Sequence, residues 1–283
     1  MKNPIFAVII PVYNGEQYIS DCLNSLLQQS YKNWVAIVID DGSKDNSLQL
    51  LQQYAHKDSR INVFTKKNEG VSKARNYALS KLENYEYDWI CFLDIDDWFD
   101  PERFQNIAEK LLKYNNDQID FIRAFSLKVK DRDMKLSLSE KLDADILSPY
   151  DYYANENVGG YMHTCLLSKE LFEKYNIKFP EDMNFLEDQV FVQKYAMRAT
   201  LIMCYKTKDY FYYVPNIHKK YRNFYPDILK CINYIFDDVI TLETPSPFPR
   251  SSFSFAKTGP VVLMRFPFSS YSNHRSLPFE CLM

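Results

Sequence analysis

Residues 88–101 read DWICFLDIDDWFDP, and the reading of the whole chain turns on them. Trp89, Ile90, Cys91, Phe92 and Leu93 form a short apolar run with the character of a buried strand. It passes directly into three carboxylates, Asp94, Asp96 and Asp97. Like charges packed at a strand end repel one another and raise each other's pKa. A divalent cation relieves that repulsion. Carboxylate oxygens suit Mg2+ or Mn2+, ions that usually also hold substrate phosphates. For an isolated DxDD the plainer alternative is a solvated acidic turn, so the surroundings decide.

Upstream of this segment the chain alternates between strand and helix patterns. Residues 5–10 are a continuous apolar run, and 16–29 place Tyr18, Ile19, Cys22, Leu23, Leu26 and Leu27 on one helical face. Residues 34–39 (WVAIVI) are a second strand, followed by Asp40, Asp41, Gly42 and Ser43, with Asp45 available to cap a helix through Leu48, Leu51 and Tyr54. A third strand is expected at 61–65 and a third helix at 71–82. After the fourth strand, Asp100 and Pro101 supply an N-cap and a first-turn proline for a helix ending near Tyr114. Repeated strand–helix units with nearly unbroken apolar strands predict an α/β fold, a Rossmann-like, mostly parallel sheet with helices on both faces. Only six glycines occur in the chain, and Gly15, Gly42 and Gly70 each follow one of the first three strands. Loops at the carboxyl edge of such a sheet are where ligands bind.

Beyond residue 117 the pattern loosens into a less regular α+β half. A strand is expected at 120–127, helices at 168–175 and 188–198, a late aromatic strand at 210–214 (YFYYV) and a last helix at 226–242. This divides the chain into 1–115, 116–215, a helical segment 216–243 and a tail 244–283. The tail holds six of the 13 prolines and only one acid, Glu280, and it shows no strand or helix period. Three readings stand for it: a disordered tail, a membrane-adhering aromatic tail, or sequence foreign to the domain. Its proline-rich, aperiodic composition favours the first and third.

Composition narrows the possible roles. At 283 residues the chain can bury one large core or two modest ones, and its net charge of −3 makes no case for nucleic acid as a partner. The six cysteines form no CxxC pair and no zinc spacing, which fits reduced thiols in a cytoplasmic setting. The apolar start, residues 1–14, is too short to span a bilayer and reads as a strand, and no other apolar run reaches about 18 residues.

Four constellations fall at the strand ends: Pro11, Val12, Tyr13 and Asn14 with Gly15; Asp40, Asp41, Gly42 and Ser43; Asn68, Gly70, Arg75 and Asn76; and the Asp94/Asp96/Asp97 cluster. Each alone suits an ordinary capped turn or a solvated helix face. Arg75 lies about a turn and a half past Gly70, where its cation would meet diphosphate charge. Neither a GxGxxG fingerprint nor a Gly-rich phosphate loop follows the first strand, which argues against a dehydrogenase and a nucleotidyltransferase.

Together and in this order, IPVYN, DDGS, NEGVSKARN and FLDIDD resemble the family 2 glycosyltransferases of the GT-A fold, strongly over roughly 4–115 and more loosely over 160–214. The resemblance implies that Pro11, Val12, Tyr13, Asn14, Asp41 and Gly70 hold the nucleotide, with Arg75 and Asp94 beside the ribose and diphosphate. It implies Asp96 as the leading ligand of a Mn2+ or Mg2+ ion, with Asp94, Asp97 and His218 as further candidates. Glu187-Asp188, in FPEDMNFLEDQVF, matches the family's ED motif, whose Asp is the expected base, although acids at a helix N-terminus are favoured by the dipole in any case. The basic run His218, Lys219, Lys220 and Arg222 departs from the family's serine-containing loop and reads more readily as solvated. His163 reads more readily as a satisfied structural histidine than as an acceptor contact.

The implied activity is inverting transfer from a nucleotide-sugar donor, UDP-linked, to a glycan or lipid-linked glycan acceptor in lipopolysaccharide, capsule or exopolysaccharide synthesis. The implied setting is the cytoplasm, with peripheral contact at the inner face of the membrane. A non-catalytic sugar-nucleotide-binding or assembly module is the alternative from a different class.

Overall fold

A computed structural model describes residues 3–114, 117–130, 143–155, 161–183, 185–205, 209–214, 225–241, 254–258 and 261–265. The first half runs β1 (Phe6–Val12), α1 (Ile19–Leu27), β2 (Trp34–Asp40), α2 (Ser47–Lys57), β3 (Ile61–Thr65), α3 (Val71–Lys81), β4 (Trp89–Phe92), a two-residue β5 (Trp98–Phe99) and α4 (Arg103–Tyr114). The second runs β6 (Ile119–Arg123), β7 (Ser126–Val129), β8 (Ala144–Leu147), α5 (Pro149–Asn155), β9 (Cys165–Ser168), α6 (Lys169–Tyr175), α7 (Glu187–Ala196), β10 (Leu201–Tyr205), β11 (Tyr210–Tyr213) and α8 (Tyr225–Thr241). In the tail, β12 (Ser254–Thr258) pairs antiparallel with β13 (Val261–Arg265), strands that its aperiodic composition does not announce.

Eight strands form one sheet in the order β3-β2-β1-β4-β9-β6-β10-β8. The first four are parallel, β9 runs antiparallel between β4 and β6, β6 and β10 are parallel, and β8 is antiparallel at the edge. The expected mostly parallel sheet is therefore present, and the second half of the chain completes it. The single strand expected at 120–127 is divided in two. β6 stays in the large sheet, while β7 leaves it to pair with β11 in a three-stranded sheet, β5-β11-β7.

Strand alternation assigns the core to two faces. Phe6, Val8, Ile10 and Val12 of β1 pack with the buried stripes of α1, α2 and α4. Ala7 and Ile9 point the other way, onto α3, α5, α6 and α7. Continuous apolar strands are what a sheet covered on both faces demands. The strand order reverses around β1 and β4, and the loops after β1, β2, β3 and β4 all emerge at the same edge. That is the topological switch point where open α/β sheets bind ligands. Among the described residues no helix is long and apolar enough to cross a membrane.

Candidate active site

The loops after β1 and β2 lock onto each other. Ser43 Oγ accepts from the Asn14 N–H (3.0 Å), Ser47 Oγ accepts from the Gly15 N–H (2.9 Å), and Asn14 Oδ1 accepts from the Lys44 N–H (2.8 Å). Asn14 sits at φ 50°, a left-handed conformation that Asn tolerates better than most residues. Pro11 and Val12 are buried, whereas Tyr13 is 45% exposed and presents its ring to solvent at the sheet edge. Asp45, expected to cap α2, lies one residue too early: the N-cap is Asn46, and Asp45 accepts from the Ser47 N–H (3.0 Å) in the turn before it.

The two acids of DDGS divide their work. Asp40 is structural: its carboxylate accepts from the Ser43 N–H (3.1 Å) and from the Thr65 hydroxyl (2.9 Å). Asp41, also buried, collects the Lys66 ammonium (2.9 Å), the Gly70 N–H (2.9 Å) and the Glu69 N–H (3.2 and 3.3 Å to its two oxygens). Burial lowers the Lys66 pKa, yet hydrogen bonds to Asp41 and Glu69 outweigh it and carry the ammonium above the usual lysine range. Gly42 is required between these loops. It sits at φ +69°, and a Cβ there would lie 2.7 Å from the Asn68 nitrogen.

The structure changes the reading of Arg75. The sequence put this cation at the mouth of the site. Instead it is 5% exposed and spans the interior, donating from Nη2 to Asp94 Oδ1 and from Nη1 to Glu187 Oε1, both at 2.9 Å. Two opposite charges hold it ionised against burial. One guanidinium thus ties Asp94, after β4, to Glu187 at the head of α7, which lies 112 residues beyond Arg75 in the chain. Its neighbour Asn76 does similar work: its side chain donates to the Phe179 carbonyl (3.0 Å) and accepts from the Phe179 N–H (2.9 Å). Beneath them Phe179 stacks on Phe191 at 3.9 Å, with Phe92 edge-on to both.

Helix α7 opens at Leu186, a non-glycine residue at φ 66° that turns the chain sharply into Glu187 and Asp188. The Asp188 carboxylate accepts the Gln189 N–H at 2.8 Å. Its pKa is pushed up to about 7, first by burial and then by the neighbouring Glu187 charge, with Arg75 opposing.

The acids after β4 also separate in role. Asp97 is fully buried, accepting from the Tyr210 hydroxyl (2.6 Å) and the Tyr213 N–H (2.8 Å). Burial, then the charges of Asp94 and Asp96, raise its pKa to about 8. The Tyr210 oxygen in turn accepts from the Asp94 N–H (3.3 Å), so the three-stranded sheet fixes the geometry of the cluster. His163 lies behind, in a short helical turn before β9, stacked on Tyr210 (4.4 Å) and Tyr212 (5.1 Å). Burial lowers its pKa to about 3, which leaves a neutral imidazole able to act as a ligand.

Asp94, Asp97 and His163 offer ligand atoms within 4.8 Å of one another. Asp96, the leading ligand expected from sequence, lies beside this group and acts on it through its charge, but it is not one of the three. Crowded acids next to a neutral imidazole are a donor set that fits a divalent cation. His218, with Lys219, Lys220 and Arg222, falls outside the described residues. Lys66, Tyr210 and His163 are the site residues that no motif assigned. Lys66 alone had a usable signal, its place directly after a strand that ends level with Asp40.

A switch-point edge carrying a DDG turn, a strand-end acid cluster and an ED pair on a mixed eight-stranded sheet defines a GT-A-type domain. The family model for glycosyl transferase family 2 matches residues 7–176, and the chain belongs to that family. Similar curated proteins include the putative glycosyltransferase EpsH of Bacillus subtilis, 27% identical over 75% of this chain and 61% of its own length. EpsJ of the same organism, an uncharacterised glycosyltransferase, is 31% identical over 66% of this chain and 55% of its own. The chain therefore spans somewhat over half the length of these relatives. Among solved structures, Staphylococcus aureus TarS 1–349 in complex with UDP-GlcNAc superposes with TM-score 0.69 at 24% identity, covering 86% of this chain and 68% of that one. A Pyrobaculum calidifontis mannosyltransferase in complex with GDP-Man and Mn2+ superposes with TM-score 0.57 at 17% identity, covering 88% and 68%. These two likenesses establish the GT-A fold.

Proposed function

We propose that the protein is an inverting glycosyltransferase, moving a sugar from a UDP-linked donor to a hydroxyl of a glycan or lipid-linked glycan acceptor. The observation that carries this reading is Asp188, a carboxylate at the head of α7 with a pKa raised to about 7 and coupled through Glu187 and Arg75 to the acids after β4. A carboxylate tuned near the working pH is what a general base requires. In the proposed step Asp188 takes the proton of the acceptor hydroxyl while that oxygen bonds to the anomeric carbon. The bond from that carbon to the diphosphate oxygen breaks on the opposite face, and configuration inverts.

Pro11, Val12, Tyr13, Asn14, Asp41 and Gly70 form the nucleotide side of the site. Asp94, Asp97 and His163, with Asp96 beside them, are the residues that would hold Mn2+ or Mg2+. A bound ion of this kind stabilises the negative charge developing on a departing diphosphate. The solved complexes of TarS with UDP and UDP-GlcNAc support a UDP-linked donor, and the Mn2+ complex of the mannosyltransferase supports the use of a cation on this fold. The name of TarS, a poly(ribitol-phosphate) β-N-acetylglucosaminyltransferase, supports a polymeric acceptor.

The test is Asp188→Asn, assayed by UDP release and by UDP binding in the presence of Mn2+. Transfer is expected to fall roughly 100- to 10,000-fold, the range of general-base contributions, with UDP binding retained. Wild-type turnover in that variant would overturn the assignment.

A further inference from the structure

Asp188 follows a turn that needs outside support. Leu186, the residue before α7, sits at φ 66°. That left-handed conformation is costly for any residue with a Cβ and persists only where the surroundings over-determine it. The helix itself supplies little: leucine offers no side-chain cap, and the first backbone bond runs from the Val190 N–H to the Leu186 carbonyl (3.2 Å).

Two helices grip the segment around this turn. From α3, Asn76 donates to the Phe179 carbonyl and to Glu181 Oε1, both at 3.0 Å, and Arg75 holds Glu187 (2.9 Å). Residues 182, 183 and 186, between those anchors, find theirs on α8. Lys230 Nζ donates to the Asp182 carbonyl and pairs with Asp182 Oδ2 (3.0 Å), and the Tyr234 hydroxyl donates to Asp182 Oδ1 (2.9 Å). Asp182 is thus bound through its main chain and through both carboxylate oxygens. Leu186 packs into a small apolar cluster built from Met183, Val190 and Cys231, which Tyr234 and Ile235 complete. Positions 230, 231, 234 and 235 share one face of α8, the spacing that brings helical neighbours together.

The polar part of this grip lies at the surface, with the Lys230 and Asp182 side chains 41% and 53% exposed. Exposed pairs add little to global stability. Their effect is local, on the path by which the chain enters α7.

We propose that Lys230 and Tyr234 are positioning residues for transfer. By holding Asp182 they keep the Leu186 turn left-handed and so set the direction in which Asp188 points from the head of α7. The inference rests on the reading of Asp188 as the base and adds to it the helix that aims the carboxylate. A base acts only within hydrogen-bond reach of the proton it takes, and a misplacement of about 1 Å costs roughly 100-fold in rate.

Steady-state UDP release from UDP-GlcNAc in Mn2+, beside calorimetric binding of UDP, tests it with Tyr234→Phe, Lys230→Met and the two combined. Both substitutions keep the bulk of the side chain, and the exposed contacts they remove leave the fold intact. The combined variant is expected to lower kcat roughly 10- to 100-fold. Donor KM and UDP affinity stay within about two-fold of wild type, because the nucleotide residues lie on other loops. Placed on Asp188→Asn, the same two substitutions cost less than about two-fold, since aim matters only for a carboxylate that takes the proton. Wild-type kcat in the combined variant overturns the proposal. An equal loss in both backgrounds, or UDP affinity falling in step with kcat, also overturns it by making α8 a general support of the fold. Wild-type turnover in Asp188→Asn, or no UDP release by the wild type, instead refutes the reading on which the inference rests.

Discussion

Glu187→Gln isolates the charge that couples the two halves of the site. The substitution is isosteric, and a glutamine carbonyl still accepts from Arg75 Nη1, so the bridge from β4 to α7 keeps its shape while one negative charge disappears. Two consequences follow. The bond to Arg75 becomes a charged–neutral one between side chains only 6% and 13% exposed, a loss of about 1 kcal/mol. For a chain of this size that corresponds to a fall of roughly 2–4 °C in Tm. The larger effect falls on Asp188. Glu187 is the strongest charge raising the Asp188 pKa above the carboxylate range, and Arg75, which lowers it, loses a competing partner. Both changes favour the carboxylate form, so the Asp188 pKa drops, by about 0.5–1 unit for one removed neighbouring charge. A base works deprotonated, so the rising limb of the pH–rate profile, near pH 7 in the wild type, moves toward acid in Glu187→Gln. The assay is initial-rate UDP release from pH 5 to 9 at saturating donor, beside Tm at each pH. A limb that stays in place, or moves toward base, refutes the reading of Asp188 as a base tuned by Glu187.

Two further outcomes are expected. Gly42→Ala forces a side chain into φ +69° with its Cβ 2.7 Å from the Asn68 nitrogen. The folded state should lose about 1–3 kcal/mol in chemical denaturation, and an unchanged midpoint would mean that the turn relaxes without strain. Asp97, with a folded pKa of about 8 against about 3.9 unfolded, binds its proton more tightly when folded. Stability should therefore fall as pH rises from about 4 to about 8, by up to about 1.4 kcal/mol per pH unit from this group. Asp188 adds a slope of the same sign, so the informative measurement is wild type against Asp97→Asn in urea titrations at pH 5, 6 and 7. Equal slopes would show that Asp97 is ionised in the fold.

The first half was legible because its signals are local. An apolar run bounded by Gly, Asp and Asn specifies a buried strand and the turn after it without reference to anything distant, and β1 to β4 lie close to where that pattern puts them. The second half was read less completely because its strands take their meaning from partners. Residues 165–168 and 201–205 are short and apolar, and they become β9 and β10 by pairing with β4, β6 and β8. The break after Arg123, which sends β7 into the smaller sheet with β11, has no signature in residues 120–127 themselves.

The same division holds at the opening segment. By itself the sequence determined that three acids end a buried strand at the ligand-binding edge of an α/β sheet, because residue type and strand period need no tertiary contact to be expressed. Only the tertiary structure decided what each acid does. Tyr210 and Tyr213 arrive from β11 to take Asp97 into the interior, Arg75 crosses from α3 to claim Asp94, and Asp96 is left beside the group that Asp94 and Asp97 form with His163. Those roles follow from desolvation and from charges brought together across more than a hundred residues of chain, and neither quantity is written in the spacing of a motif.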